Sequence, residues 1–283
     1  MDTIYFCQDL RKSATRNHRT LKSIPCTITQ TEMTAPARWQ VTLATEHSPA
    51  FAVGQFFLAH ITDPSAAYLQ RAIFPTPAED DPTALQLVFS ATDLTDPAIG
   101  WLVSRRAGTP LNLLGPLGNG FSPPDTARNI LLAGDATHPA LLSALANFAA
   151  RRGQNITLAY LLPGKRYLPR TPLHPAVELL LVTTDGSGGY HGEFFRRLAP
   201  LIPWADWLAA SGKPSFYRTL KTTITENQPL PVNDYAQILR SDAPLHICGT
   251  GVCGYCPVPT VHGVKLACAD GPVFDLAEVL LDD

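Results

Sequence analysis

The stretch "CGTGVCGYC", residues 248–256, puts three cysteines within nine residues, and a fourth, Cys268, follows after eleven intervening residues. Cys-x4-Cys-x2-Cys with a distant fourth cysteine is the spacing of plant-type 2Fe–2S ligation. Four thiolates must converge on two irons, three of them from one tight loop. Gly249, Gly251 and Gly254 supply the backbone freedom for that turn and let N–H groups approach sulfur. On this reading Cys248, Cys253, Cys256 and Cys268 are the metal ligands. A four-cysteine zinc site competes, although such sites usually pair their ligands in two short knuckles. Plain buried thiols are the third reading. Cys7 and Cys26 lack ligand-like spacing and are expected to be ordinary core or surface thiols.

The chain has 283 residues, 45% of them hydrophobic, enough for more than one packed core. Charged residues make up 16%, against about 25% in ordinary domains, which suits either a wide protein interface or a Pro- and Thr-rich surface. The formal net charge of −2 and the lack of a basic tract give no nucleic-acid footprint. No apolar run reaches signal-peptide or membrane-span length. A cytoplasmic protein without nucleic-acid or membrane partners is expected, its cysteines metal ligands or free thiols rather than disulfides.

The pattern changes twice along the chain, so an α+β multidomain protein is expected. To about residue 125 the chain reads as short strands, "CTITQTEM", "RWQVTLAT", "GQFFLAHI" and "ALQLVFSA", with one helix at "DPAIGWLVSRRAG"; this is the pattern of an antiparallel β-barrel or sandwich. From 126 to 240 strands such as "NILLAG", "NITLAYLL" and "VELLLVTT" alternate with helices. That alternation predicts a parallel α/β sheet with helices on both faces. The first of these helices, "THPALLSALANFAARRG", should be capped by Thr137, with Pro139 in its first turn and Gly153 at its end. Residues 241–283 form the cysteine segment.

At the C-terminus, "CGTGVCGYC … CADGPVFD" resembles the electron-transfer subunit of two-subunit, NAD-linked dihydroorotate dehydrogenases, of the ferredoxin-reductase-like superfamily. "LLGPLGNGF" (113–121), "VGQFFLAH" (53–60) and "VTTDGSGGYHG" (182–192) resemble further segments of that family in the same order. The resemblance runs from about residue 25 to the end. It implies an N-terminal extension (1–24), an FAD-binding barrel (25–125), an NAD-binding-like domain (126–240) and a small 2Fe–2S domain (241–283). It also implies a partner catalytic subunit carrying FMN that oxidises dihydroorotate to orotate in pyrimidine biosynthesis, within a heterotetramer. The FAD-binding positions it implies are Arg71, Ala72, Ile73 and Phe74, then Ser90, Ala91 and Thr92, then Ala98 and Ile99.

Several positions depart from the family's pattern. Arg71 keeps the charge that would meet a pyrophosphate, but Phe74 stands where a hydroxyl is expected beside the flavin. Ala98 and Ile99 replace a Gly-Thr pair. The glycine-rich nucleotide loop is reduced to "AGDATHP", in which Gly134 survives, Asp135 adds a negative charge that should oppose a pyrophosphate, and Thr137 follows. In "ASGKP" (210–214) Ser211 replaces a cysteine, while Gly212 and Pro214 persist. NAD binding is therefore expected to be weakened. His138 and His191 are expected to be solvated loop histidines. Two other functions compete: a flavin and iron–sulfur subunit of a different reductase (sulfide, sulfite or ferredoxin–NAD type), and a non-catalytic zinc-binding interaction module.

Overall fold

The computed structural model describes residues 22–36, 38–47, 49–60, 70–78, 81, 83–90, 93–227, 235–243, 245 and 248–281. Cys7, Ala91 and Thr92, and the side chain of Ser90, lie outside the described residues.

The first unit holds seven antiparallel strands, β1 (Ser23–Ala35), β2 (Arg38–Thr45), β3 (Phe56–His60), β4 (Arg71–Ile73), β5 (Thr76–Pro77), β6 (Ala84–Ser90) and β7 (Pro110–Leu117). Their order is β4-β3-β7-β1-β2-β6-β5. Only Phe74 and Pro75 separate the two edge strands β4 and β5 in sequence, so the sheet curls back on itself as a barrel does. Inward residues alternate along β2: Val41 and Leu43 are fully buried while Gln40 and Thr42 are not. Helix α1 (Pro97–Val103) closes one end with Ile99 and Leu102. It is shorter than the sequence pattern suggests, because Ser104 donates back to the carbonyls of the last turn and the chain leaves through Gly108 at a positive φ of 91°.

The second unit is a seven-stranded sheet ordered β11-β10-β9-β8-β12-β13-β16. Its strands are β8 (Asn129–Gly134), β9 (Asn155–Leu162), β10 (Val177–Thr183), β11 (Tyr190–His191), β12 (Trp207–Ser211) and β13 (Ala236–Leu239), all parallel. The last, β16 (Val273–Asp275), is antiparallel to β13 and comes from the cysteine segment. Helix α2 (Pro139–Arg151) covers one face with Leu141, Leu142 and Leu145. Helices α3 (Phe194–Leu198) and α4 (Pro214–Asn227) cover the other, where Phe216, Leu220 and Ile224 form the buried stripe of α4. Pro139 occupies the first turn of α2, and Gly153 follows it at a φ of 79°, as the sequence predicts. Thr137 does not cap the helix: the residue before it is His138, without a side-chain cap bond, and the Thr137 hydroxyl is buried without a partner.

The cysteine segment adds a hairpin, β14 (Pro257–Thr260) and β15 (Gly263–Leu266), and one turn of helix, α5 (Ala267–Asp270). Its Cys256, Val258 and Cys268 share one apolar core with Phe56, Leu58 and Leu117 of the barrel and Leu208 and Leu220 of the α/β unit. No helix among the described residues is long and apolar enough to cross a membrane.

Candidate functional site

The loop from Cys248 to Cys256 is held by three glycines in the left-handed region, Gly249 (φ 69°), Gly251 (φ 82°) and Gly254 (φ 66°). A side chain at Gly249 would press on Leu117 Cδ1 at 2.6 Å and Leu58 Cδ1 at 3.1 Å, so the loop is seated directly on the barrel. Cys256 and Cys268 are buried, Cys248 is half-buried and Cys253 is exposed. The thiols act on one another in two pairs, Cys253 on Cys248 and Cys256 on Cys268, and Cys248 also acts electrostatically on Cys268. Backbone N–H groups point at the sulfurs: Gly251 N at Cys268 Sγ (3.0 Å), Cys268 N at Cys256 Sγ (3.4 Å) and Thr250 N at Cys248 Sγ (3.5 Å).

These contacts drive the thiols apart in acidity. Burial works to raise Cys248, but N–H donors from Cys253 and Thr250 and their side chains pull it down to about 6. Burial, the hydrogen bond to Cys256 and the charge beside it push Cys268 up to about 12. Four thiols this close cannot all ionise without a cation among them. Two pairs of thiols suit two irons, each taking two thiolates, and the N–H···S donors suit a negative cluster. The donor set fits a 2Fe–2S cluster.

A second site lies on the barrel. A cavity of about 290 Å³ is lined by Arg71, Ala72, Ile73 and Phe74 from β4 and the turn after it, by Ile99 of α1, and by His138. Five of the expected flavin positions thus share one cavity. Ala98 sits in the barrel core and does not line it. Its walls combine aliphatic and aromatic side chains with Arg71, His138, Ser241 and two carboxylates, Asp93 and Asp96, at the small end of ligand cavities, about 300–1,000 Å³. The apolar part suits a planar ring, and Arg71 is, among the described residues, the one cation in the lining for an anionic tail. Arg71 is already engaged, since its Nε donates to Asp96 and its Nη1 to the Gln70 carbonyl at 3.0 Å. Asp96 also caps α1, its Oδ1 accepting the Ala98 N–H at 2.8 Å. The "DP" pair before an apolar helix signals this cap in the sequence. Nothing local announces the carboxylate's second role on Arg71, and Asp93 and Ser241 also line the cavity unforeseen.

His138 is not a solvated loop residue. It lines the cavity with its ring 5.3 Å from that of Phe74. Burial lowers its pKa, and the charge of Arg38 adds to that, against the pull of Asp93 and Asp135. His191 is exposed, its Nε2 3.1 Å from the Thr184 carbonyl. Cys26 is a buried core thiol whose Sγ donates to the Leu111 carbonyl at 3.2 Å.

The motifs quoted from the first and third segments meet at one junction. Asn119 N–H donates to the Gly271 carbonyl at 2.6 Å, Asn119 Nδ2 to the Asp270 carbonyl at 3.1 Å, and Gln55 Nε2 to the Gly118 carbonyl at 2.8 Å. A side chain at Gly54 would strike Val273 Cγ2 at 2.9 Å. "VGQFF", "GPLGNGF" and "DGPVFD" therefore weld barrel, linker and cysteine segment together.

Comparison with known proteins agrees with this geometry. Residues 246–280 match the iron–sulfur cluster binding domain of dihydroorotate dehydrogenase B. The chain is 31% identical over 189 residues to the Thermotoga maritima homolog of the dihydroorotate dehydrogenase B (NAD(+)) electron transfer subunit, covering 64% of this chain and 62% of that protein. It is 27% identical over 256 residues to the electron transfer subunit from Streptococcus pneumoniae serotype 4, covering 88% of this chain and 98% of that one. Among solved structures, a chain of the NADH-dependent reduced ferredoxin-NADP oxidoreductase superposes with a TM-score of 0.72 at 24% identity, over 91% of this chain and 90% of that one. A Neisseria gonorrhoeae ferredoxin NADP+ reductase with bound FAD and NADP superposes with a TM-score of 0.62 at 16% identity, over 77% and 98%. The chain thus has a ferredoxin-reductase-like fold, matches at residues 246–280 the iron–sulfur cluster binding domain of dihydroorotate dehydrogenase B, and is similar to that enzyme's electron-transfer subunits.

Proposed function

We propose that the chain is an oxidoreductase subunit that passes electrons between FAD on the barrel, a 2Fe–2S cluster in the cysteine loop and the FMN of a partner subunit that oxidises dihydroorotate to orotate. The observation that carries this is the gathering of the cysteine thiols under backbone N–H donors, Gly251 to Cys268, Cys268 to Cys256 and Thr250 to Cys248. The side chains of Cys248, Cys253, Cys256 and Cys268 would hold the cluster, and Arg71 to Phe74 with Ile99 would hold the flavin. Bound there, the cluster supplies one-electron transfer and the flavin converts electron pairs to single electrons. The chain's own part is to place the groups and shape their surroundings. Burial of Cys256 and Cys268 keeps water from one side of the centre, and the N–H groups of Gly251 and Cys268 offset the negative charge on their sulfurs.

The exposed rim of the loop suits a partner surface. Val252 is 89% exposed and Tyr255 56%, both beside the exposed Cys253. Apolar side chains held out at a cofactor edge read as an interaction site. A catalytic subunit docked there, two copies of each chain in the assembly, completes the reading, which places the protein in the cytoplasm and in pyrimidine biosynthesis.

Anaerobic purification followed by a visible spectrum and by iron, sulfide, zinc and flavin assays tests the cofactors. Iron with matching sulfide and FAD is the expected result; zinc in place of iron and sulfide would refute it. Co-purification with an FMN subunit that turns over dihydroorotate tests the partner, and a partner without an orotate site would assign the chain to a different reductase.

A further inference from the structure

In the α/β sheet, β8 has β9 on one side and β12 on the other, and the connections run outward from β8 in opposite directions. Open α/β sheets bind ligands in the crevice at such a switch point, beyond the carboxyl ends of the strands. Here that crevice lies between the loop after β8, which begins at Asp135, and the loop after β12, at Gly212 and Lys213. An anionic ligand would meet main-chain N–H groups there.

The chain fills this crevice itself. Asp135 Oδ1 accepts the N–H of Thr137 at 2.7 Å, and Oδ2 accepts the N–H of Lys213 at 3.0 Å. The Asp135 N–H is spent on the Ser211 carbonyl at 3.2 Å. One carboxylate therefore bridges both loops and uses one donor from each. Gly134, the glycine that survives in this loop, serves strand packing: a side chain there would meet the Ser211 carbonyl oxygen at 2.9 Å.

A second side chain crosses from the barrel. Arg38 of β2 is 5% exposed. Its Nη2 donates to the Ala136 carbonyl at 2.9 Å and its Nη1 to the Tyr167 carbonyl at 2.5 Å. The guanidinium lies over the Tyr167 ring, 5.5 Å from its centroid. The two carbonyls come from the loop after β8 and the segment after β9, so one buried cation ties the barrel to both. His138 beside it rests on Phe74. These residues do not fit a pyridine dinucleotide: a negative charge stands where its pyrophosphate would go, the N–H groups of Asp135, Thr137, Gly212 and Lys213 are taken, and the approach from the barrel side is bridged.

We propose that this crevice is closed to NAD and NADP by the chain's own side chains, Asp135 occupying the anion position and Arg38 latching the barrel onto the loop behind it. The inference concerns the nucleotide crevice and is independent of whether the cysteine loop and the barrel hold their cofactors.

Titration calorimetry of the full chain with NADH, NADPH and ADP-ribose tests it, with iron, sulfide and flavin content assayed on the same samples. The wild type should show no saturable binding tighter than about 1 mM. Asp135→Gly combined with Arg38→Ala should tighten binding of NADH or ADP-ribose at least about tenfold. A wild type that binds NADH at micromolar concentration would overturn the proposal, as would a folded double variant with no gain. If the double variant does not fold, hydrogen exchange on the wild type decides. The Thr137 and Lys213 amides should be protected like neighbouring strand amides and unchanged by millimolar NADH. Loop-like exchange at both, or added protection by NADH, would overturn it.

Discussion

Asn119 and Val273, 154 residues apart in sequence, are joined by a hydrogen bond from the Val273 N–H to Asn119 Oδ1 at 3.0 Å. The same amide donates through Nδ2 to the Asp270 carbonyl, so one side chain satisfies a donor and an acceptor on either side of Gly271 and Pro272. That turn leads from α5, which carries Cys268, into β16, which completes the α/β sheet. The position of the fourth cysteine is thus set from the barrel's exit loop.

Asn119→Ala should therefore loosen the cysteine segment. It leaves the N–H of Val273, a buried residue, without its acceptor, a loss of about 1–3 kcal/mol. Denaturant unfolding should show a lower midpoint, and the iron of the purified variant should be lost faster to a chelator. Unchanged stability and chelation would show that Asn119 does not organise the turn.

Cys268→Ser and Cys256→Ser should each abolish most of the bound iron and sulfide together, because each removes one member of an interacting pair. Cys26→Ser should leave both unchanged, since that thiol bonds to Leu111 inside the barrel core. Iron and sulfide assays with the visible spectrum check this. Full iron in either ligand variant would remove that cysteine from the site.

Much of this was readable in the sequence, for reasons that differ by element. β2, β8, β9 and α4 match their patterns residue for residue, since each buries a face of simple period against one core. The cysteine ligands and their glycines are local in sequence, and spacing suffices to find them. The three-residue β4 and two-residue β5 are too short to carry a period. β13 has four residues and the edge strand β16 three, and they pair only because the cysteine segment returns to the sheet. Long-range partners were invisible for the same reason. Nothing near Arg38 indicates that it reaches Ala136 and Tyr167, and nothing near Asp135 indicates that Lys213 will donate to it.

Gly251 and Gly254 offer a paired comparison. Both have positive φ, so alanine at either costs about 1–2 kcal/mol in backbone strain. Alanine at Gly254 meets open space, whereas at Gly251 it meets Ala269 Cβ at 3.1 Å and displaces the N–H aimed at Cys268 Sγ. Both variants should melt lower, but Gly251→Ala alone should lower the midpoint potential of the cluster, because the lost N–H offsets negative charge on sulfur. Redox titration followed by electron paramagnetic resonance separates the two. Equal potentials in wild type and Gly251→Ala would remove the N–H···S bond from the tuning.

The Arg71–Asp96 pair makes flavin retention sensitive to a residue outside the expected flavin positions. Asp96 holds the guanidinium that an anionic tail would need, and the pair is partly buried, at 17% and 29% side-chain exposure. Arg71→Ala should lower the flavin content of the purified chain. Asp96→Asn should release Arg71 while keeping an oxygen to cap α1, and should tighten FAD binding by up to about tenfold. Flavin fluorescence titrations with FAD and riboflavin distinguish this from a general change in the cavity, since only FAD carries the phosphates. Equal gains for both ligands would sink the charge argument.

Cys26 sets an alkaline limit on the barrel. Burial pushes its thiol from the ordinary value near 9 up to about 12. A thiol whose folded pKa lies above its unfolded one contributes stability in full below the unfolded value, and that contribution is lost as pH rises from about 9 to about 12. The native chain should therefore resist alkylation at Cys26 at pH 8, while the unfolded chain reacts. Its stability should fall between pH 9 and 12 more steeply than that of Cys26→Ala, after the baseline loss from the smaller side chain is subtracted. Mass spectrometry of iodoacetamide-treated protein and urea unfolding at pH 8 and 10 measure both effects. Labelling of native Cys26 at pH 8 would show that the barrel opens at this strand well below its global unfolding.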